Sequence, residues 1–188
     1  MLEEILKLDH QLFQAINTGL SNSFFDWLMP IMRNKYTWIP LYIGIIIFAI
    51  KTYKTKGLYL VLFLATTVGI ADFGSASILK PIFKRDRPCN EVAFQANVIA
   101  RVPCGSGKSF PSTHASDHFS IAIFLSVLFF KKWKYFTAIA VFWAALICVS
   151  QVYVGVHFPF DVTFGAIFGS LIGFLVAKLF LKYIPFKA

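Results

Sequence analysis

The sequence predicts an all-α integral membrane protein: a bundle of about five transmembrane helices, six if the N-terminal segment also crosses, with amphipathic N-terminal helices lying in the interface. Three observations carry this prediction. Of 188 residues 57% are hydrophobic and only 14% charged, where a soluble domain carries about 25% charge. The 22 Phe and 4 Trp are more apolar aromatic surface than a small water-facing shell hides. Long apolar runs also recur between short lysine-bearing connections, and mean hydropathy is +0.68. The composition excludes a soluble enzyme and leaves no room for a sizeable aqueous module. Residues 1–188 are therefore read as one domain, with an amphipathic segment over 1–34 and a helical core over 36–188.

The N-terminal stretch alternates Ile5, Leu6, Leu12, Phe13 and Ile16 with Glu3, Glu4, Lys7, Asp9, His10 and Asn17. Gly19 and Ser21 to Ser23 break the pattern, and Phe24 to Pro30 resumes it. Neither half offers the roughly 20 apolar residues of a span, so two interfacial helices are expected. Met1-Leu2-Glu3-Glu4-Ile5 lacks a basic leader and a small-residue cleavage site, so no removable signal is expected. The first span is read over about Trp38–Ile50 and the second over about Leu58–Leu79, followed by a polar loop over about 86–111. The third covers about Ser112–Phe130, the fourth Tyr135–Tyr153 and the fifth Asp161–Tyr183. In the fifth, Gly165, Gly169 and Gly173 repeat every four residues, a ridge that lets a neighbouring helix or a second copy approach closely.

The formal charge of +9 divides between the two ends of such a bundle. Lys51, Lys54, Lys56, Lys131, Lys132, Lys134, Lys178, Lys182 and Lys187 fall on one side in very short connections, as cytoplasmic anchors do. The opposite side holds Lys7, Lys35, Lys80, Lys84, Lys108 and every arginine, mostly around one loop. That concentration points to an anion site, and no nucleic-acid partner is expected. Cys89 and Cys104 bracket a 14-residue segment of the same loop. They are either two thiols or, outside the cytosol, a disulfide worth on the order of 3 kcal/mol. Cys148, inside the fourth span, reads as a small buried hydrophobe.

Three clusters on that side carry chemistry. Lys80 and Arg87 are seven residues apart, so a helix continuing through Pro81 points both cations the same way. Phe110-Pro111-Ser112-Thr113-His114 opens the third span. Ser112 is placed to cap it, leaving free N–H groups and a helix dipole for an anion that His114 also faces. Finally Ser150-Gln151 precedes His157, and Asp161 follows four residues later. A carboxylate at that spacing holds an imidazole in one tautomer and frees its other nitrogen as a nucleophile. No carboxylate cluster suits Mg²⁺ and no Cys/His spacing suits Zn²⁺, so neither a metal nor another cofactor is expected. The inventory suits phosphoryl transfer through a phosphohistidine.

These residues resemble the type 2 phosphatidic acid phosphatase superfamily of membrane lipid phosphatases. Its Lys-x6-Arg-Pro motif is matched by Lys80 to Pro88, and its Pro-Ser-Gly-His motif by Pro111 to His114 with Thr113 in place of Gly. Its Ser-Arg-x5-His-x3-Asp motif is matched by Ser150, His157 and Asp161, with Gln151 in place of Arg. The resemblance implies that His157 attacks phosphorus, Asp161 orients it and His114 protonates the leaving oxygen. It implies further that Lys80, Arg87, Ser112, Thr113, Ser150 and Gln151 hold the phosphoryl oxygens. The substrate would be a membrane lipid phosphate: undecaprenyl pyrophosphate, phosphatidylglycerol phosphate, phosphatidic acid or a lipid A phosphate. Work would take place at the outer face of a bacterial cytoplasmic membrane. Since Gln151 brings no charge, Lys84, Arg85 or Lys108 is expected to supply the missing cation. The alternatives are a weakened member that binds or transports phospholipid head groups, and an oxidase using vanadate in the same pocket, against which the apolar spans argue.

Overall fold

The computed structural model describes residues 2–186; Met1 and Lys187 lie outside the described residues. Seven α-helices make up most of it. The amphipathic stretch forms α1 (Leu2–Asn17) and α2 (Ser23–Arg33). At 16 and 11 residues both are too short to span a bilayer. A 3₁₀ turn over Lys35–Trp38 leads into α3 (Ile39–Tyr53). Then come α4 (Thr55–Phe83), α5 (Thr113–Phe129), α6 (Phe136–Tyr153) and α7 (Pro159–Tyr183).

Among the described residues four segments are long and apolar enough to cross a membrane: Lys35–Tyr53, Thr55–Phe83, Phe136–Tyr153 and Pro159–Tyr183. The third expected span, read over about Ser112–Phe130, is α5; it has 17 residues and is the hub against which α4, α6 and α7 pack. Because neighbours cover it, it tolerates Ser116, Ser120 and Ser126 as buried residues. The outer surface is the reverse: Ile139, Phe142 and Ile167 each expose about two thirds of their area, as lipid-facing side chains do.

The glycine ridge of α7 is used within the chain. A Cβ on Gly165, Gly169 or Gly173 would stand 2.5, 2.0 or 2.4 Å from the carbonyl oxygens of Ser112, Ser116 and Ser120. Two four-residue repeats thus face each other, glycine on α7 and serine on α5, with backbones in contact.

The second span holds a surprise in its register. Gly74–Leu79 is a π-helical turn, after which the α-helix resumes through Pro81 and stops at Phe83, where Lys84 takes a left-handed conformation (φ 51°). The continuous helix expected to align Lys80 with Arg87 therefore ends before Arg87, which sits in the loop.

The lysine-rich connections gather at one end of the bundle. Lys56 donates to the Pro185 carbonyl at 2.6 Å and Lys132 to the Tyr53 hydroxyl at 3.3 Å. The chemistry-bearing clusters lie at the other end, beneath the loop between α4 and α5, which a Cys89–Cys104 disulfide closes. Cys148 is buried and unpaired.

Candidate functional site

His157 sits in the turn between α6 and α7. Gly155 makes that turn possible: its φ is +90°, and a Cβ there would meet Val98 and the Ile99 carbonyl at 2.9 and 3.1 Å. Asn17 and Arg101 clamp the turn from outside. Asn17 Nδ2 donates to the Tyr153 carbonyl at 2.7 Å, and Arg101 donates to the same carbonyl at 2.9 Å. Pro159 then opens α7 and places Asp161 in its first turn.

Asp161 is fully buried and richly partnered. Its Oδ2 accepts from the Phe158 N–H at 2.8 Å, from the Ser109 hydroxyl and from His157 Nδ1 at 3.4 Å. Its Oδ1 accepts from Arg85 at 2.9 Å. On the other side of the ring, Arg87 lies 3.4 Å from His157 Nε2. A guanidinium only donates, so Nε2 accepts and the ring proton is assigned to Nδ1. The lone pair on Nε2 is thus turned away from the carboxylate, as a nucleophile requires. Burial pushes the His157 pKa down to about 4, although Asp161 pulls it up, so the ring is neutral at pH 7.

Arg85 does more than expected of a residue at the membrane boundary. It bridges Asp161 to Asp9 of α1 (2.6 Å), and its Cζ sits over the Phe158 ring, 4.0 Å from the centroid. Asp9, also fully buried, accepts from the Phe160 N–H at 2.9 Å. Helix α1 is thereby tied to the first turn of α7. Arg85→Ala strands two buried carboxylates, and a loss of about 3–5 kcal/mol is expected. Thermal unfolding in detergent checks this, and Arg85→Lys, which cannot bridge both acids, should rescue little.

Both cations come from the stretch just before the disulfide loop. Lys80 Nζ donates to the carbonyls of Lys108 and Ser109 at 2.8 and 3.2 Å. Arg87 Nε donates to the Gly107 carbonyl at 2.8 Å and a terminal nitrogen to that of Val156 at 3.2 Å. Ser112 caps α5, its hydroxyl accepting from the Ala115 N–H at 3.5 Å, and its own N–H donates to the Asp161 carbonyl at 3.0 Å. Behind His114, His118 donates from Nδ1 to the His114 carbonyl (2.7 Å), so its Nε2 accepts from the Tyr42 hydroxyl (3.0 Å). His118 therefore fixes the turn that carries His114.

Lys80, Arg87, Thr113, His114, Gln151 and His157 all line one cavity of 890 Å³. Its floor continues between α3, α4 and α5 past Tyr42, Asp72 and Asp117 to Ile45, Leu64, Val68 and Ile121. One end is thus cationic and the other apolar, the profile of an amphiphile's site. The match to the PAP2 superfamily covers residues 56–185, a stretch that holds all of these cationic and imidazole side chains. The chain belongs to the PAP2 superfamily.

It is 35% identical to the lipid A 4'-phosphatase of Bacteroides thetaiotaomicron over 170 residues, 89% of this chain and 74% of that protein. It is 32% identical to the lipid A 4'-phosphatase of Porphyromonas gingivalis over 182 residues, 96% and 76% of the two chains. The crystal structure of Aquifex aeolicus LpxE superposes with a TM-score of 0.69 at 27% identity, covering 92% of this chain and 94% of that one. The protein is a multi-pass membrane phosphatase, a phosphoric ester hydrolase of the PAP2 superfamily.

Within this PAP2 site some expected residues take other places. Ser150 is buried and its hydroxyl donates to the Ile147 carbonyl at 2.6 Å, away from the cavity. Ser112 acts through the helix cap rather than on the cavity wall. None of the three cations expected to replace the missing arginine lines the cavity. Arg85 is bound to its two acids, Lys108 pairs with Asp86 at 2.7 Å, and Lys84 is exposed at the helix end. Asp72 lines the cavity as well, and Lys80 is held by carbonyls. His10, expected on a polar face, stacks on Phe94 at 4.2 Å. Sequence reasoning missed Ser109, Asp9 and Arg33, the last of which lines the cavity. Ser109 stands three residues before the Ser112 cap, and that adjacency was its only signal.

Proposed function

We propose that this protein is a metal-independent lipid phosphate phosphatase that removes a phosphomonoester from lipid A at the extracytoplasmic face, through a phosphohistidine on His157. One observation carries the reading: a neutral imidazole, backed by Asp161, opens its free nitrogen onto a cavity that is cationic at one end and apolar toward the bilayer core. The lone pair of Nε2 attacks phosphorus while the bond from phosphorus to the lipid oxygen breaks. His114, charged when the phosphate sits beside it, gives its proton to that oxygen. A water then attacks the phosphohistidine and yields its proton to His114. Inorganic phosphate leaves, and Nε2 recovers its lone pair. Lys80, Arg87, the Gln151 amide and the N–H groups at the start of α5 stabilise the charge on the equatorial oxygens. Phosphate binding exchanges the Arg87–Nε2 contact for one to an oxygen, which releases the nucleophile.

Similarity to two lipid A 4'-phosphatases favours lipid A over undecaprenyl pyrophosphate, phosphatidylglycerol phosphate and phosphatidic acid. The lysine-rich end of the bundle suits the cytoplasmic side and the disulfide loop the opposite, oxidising side. Among the described residues no three His, Cys, Asp or Glu side chains gather where they could hold a metal. The test is phosphate release from the four lipids by the purified protein, with EDTA and with His157→Ala as control. Release from lipid A with EDTA present, lost in the variant, is the expected result. Release that needs a divalent metal, or survives the substitution, overturns the mechanism.

A further inference from the structure

Gln151 leaves the third cluster one cation short, yet the cavity does not lack that charge. Arg33, in the last turn of α2, lines the same cavity as Lys80, Arg87, His114 and His157. Its Nε donates to Gln151 Oε1 at 3.4 Å. The glutamine is fully buried, and its Nε2 has no hydrogen-bond partner. An unpaired buried amide facing a cavity is costly unless a ligand completes it.

The position of Arg33 is held from both ends of its helix. Asn22 caps α2 by accepting from the Phe25 N–H at 2.9 Å, and Asp26 ties it to Arg101 and to the Tyr153 hydroxyl. Met29 packs on Tyr153, Val154 and Val156, the residues that lead into His157. At the C-terminal end, Thr37 and Trp38 donate to the carbonyls of Ile31 and Met32, both at 2.9 Å. Neither Arg33, Lys80 nor Arg87 pairs with a carboxylate among the described residues. Burial and the nearby charge of Arg87 both pull the Arg33 guanidinium below its ordinary range. Like charges crowded and unpaired around a cavity mark a place for an anion.

We propose that Arg33 and Gln151 together do what a single arginine would do in the third cluster. The guanidinium of Arg33, steered by Gln151 Oε1, binds a phosphoryl oxygen of the lipid phosphate as its charge grows, while Gln151 Nε2 donates to a second oxygen. This rests on the phosphatase reading above and deepens it. The phosphate cradle is then completed by α2, a helix outside the 56–185 stretch, and the amphipathic segment becomes part of the active site.

The test measures lipid phosphate turnover, inhibition by inorganic vanadate and thermal unfolding in detergent. Arg33→Gln is expected to lower kcat/KM by on the order of 10²-fold, to weaken vanadate inhibition by a similar factor and to leave the unfolding midpoint close to wild type. Gln151→Arg alone sets a third guanidinium against two others and lowers turnover. The double variant Arg33→Gln/Gln151→Arg, with one arginine restored to the cluster, is expected to regain at least 10-fold over Arg33→Gln, on the order of half that deficit on a logarithmic scale. A purely structural role would give neither the vanadate effect nor the rescue. Arg33→Gln within about threefold of wild type, in preparations where His157→Ala is inactive, overturns this assignment and leaves the phosphatase standing. A wild type that releases phosphate from no lipid overturns the phosphatase reading, and this assignment with it.

Discussion

Changing His157 to alanine is expected to lower phosphate release by on the order of 10⁴-fold or more, the scale on which loss of the proposed covalent nucleophile would be felt. The protein stays folded, because Asp161 keeps Ser109, Arg85 and the Phe158 N–H as partners. His114→Ala is expected to behave differently, in a way that tests the acid role proposed for it. With a lipid alcohol as leaving group it costs about 10²–10⁴-fold; with an aryl phosphate, whose oxygen leaves without a proton, the loss shrinks. Equal losses on both substrates would contradict the role given to His114. The His157 ring also leaves a mark on stability. Its folded pKa of about 4 lies below the ordinary 6.5. Between those values the unfolded chain therefore holds a proton that the folded chain does not. Stability from this group is fully present above pH 6.5 and falls as the pH drops toward 4. The unfolding midpoint of wild type should decline more steeply over that window than that of His157→Gln; parallel slopes would contradict the burial argument.

Gly169→Ala is the second large effect, and it acts on the fold. The new methyl carbon would stand 2.0 Å from the Ser116 carbonyl oxygen, with Ser116 C and Cα at 2.7 and 2.8 Å. Backbone atoms cannot swing aside as a long side chain does, so α5 and α7 must separate. Overpacking of this kind costs about 3 kcal/mol or more. Activity should fall too, since these helices carry His114 and Asp161. Gly44→Ala is the control: nothing lies within 4 Å of a Cβ there, and alanine in a helix is favoured over glycine by about 0.5–1 kcal/mol. A Gly169 variant that melts with the Gly44 variant would show that α5 and α7 are not in backbone contact.

The spans were legible because their apolar runs are long and most of them end at lysine or proline. The glycine ridge was legible because its period matches the helix. The motif side chains were legible because their spacings are local. What the sequence hid is of two kinds. Backbone irregularities came first: nothing in Gly74–Leu79 announces a π turn, and a left-handed Lys84 ends a helix that spacing alone would have continued to Arg87. Long-range polar contacts came second. Asp9 and Asp161 each lie 76 residues from Arg85, which joins them. Arg33 meets Gln151 across 118 residues. Each of these looks, one residue at a time, like an ordinary charge at a membrane boundary. Burial alone distinguishes them, and burial is a property of the packed chain.

The covalent step can be observed directly. Lipid A carrying radiolabelled phosphate is mixed with the protein, and the reaction is stopped in alkali within one turnover. The expected result is a label on the protein that is stable in base, labile in acid and located on His157, and that is absent from His157→Ala. Phosphate released at the normal rate with no labelled histidine, or with the label on another residue, would contradict it.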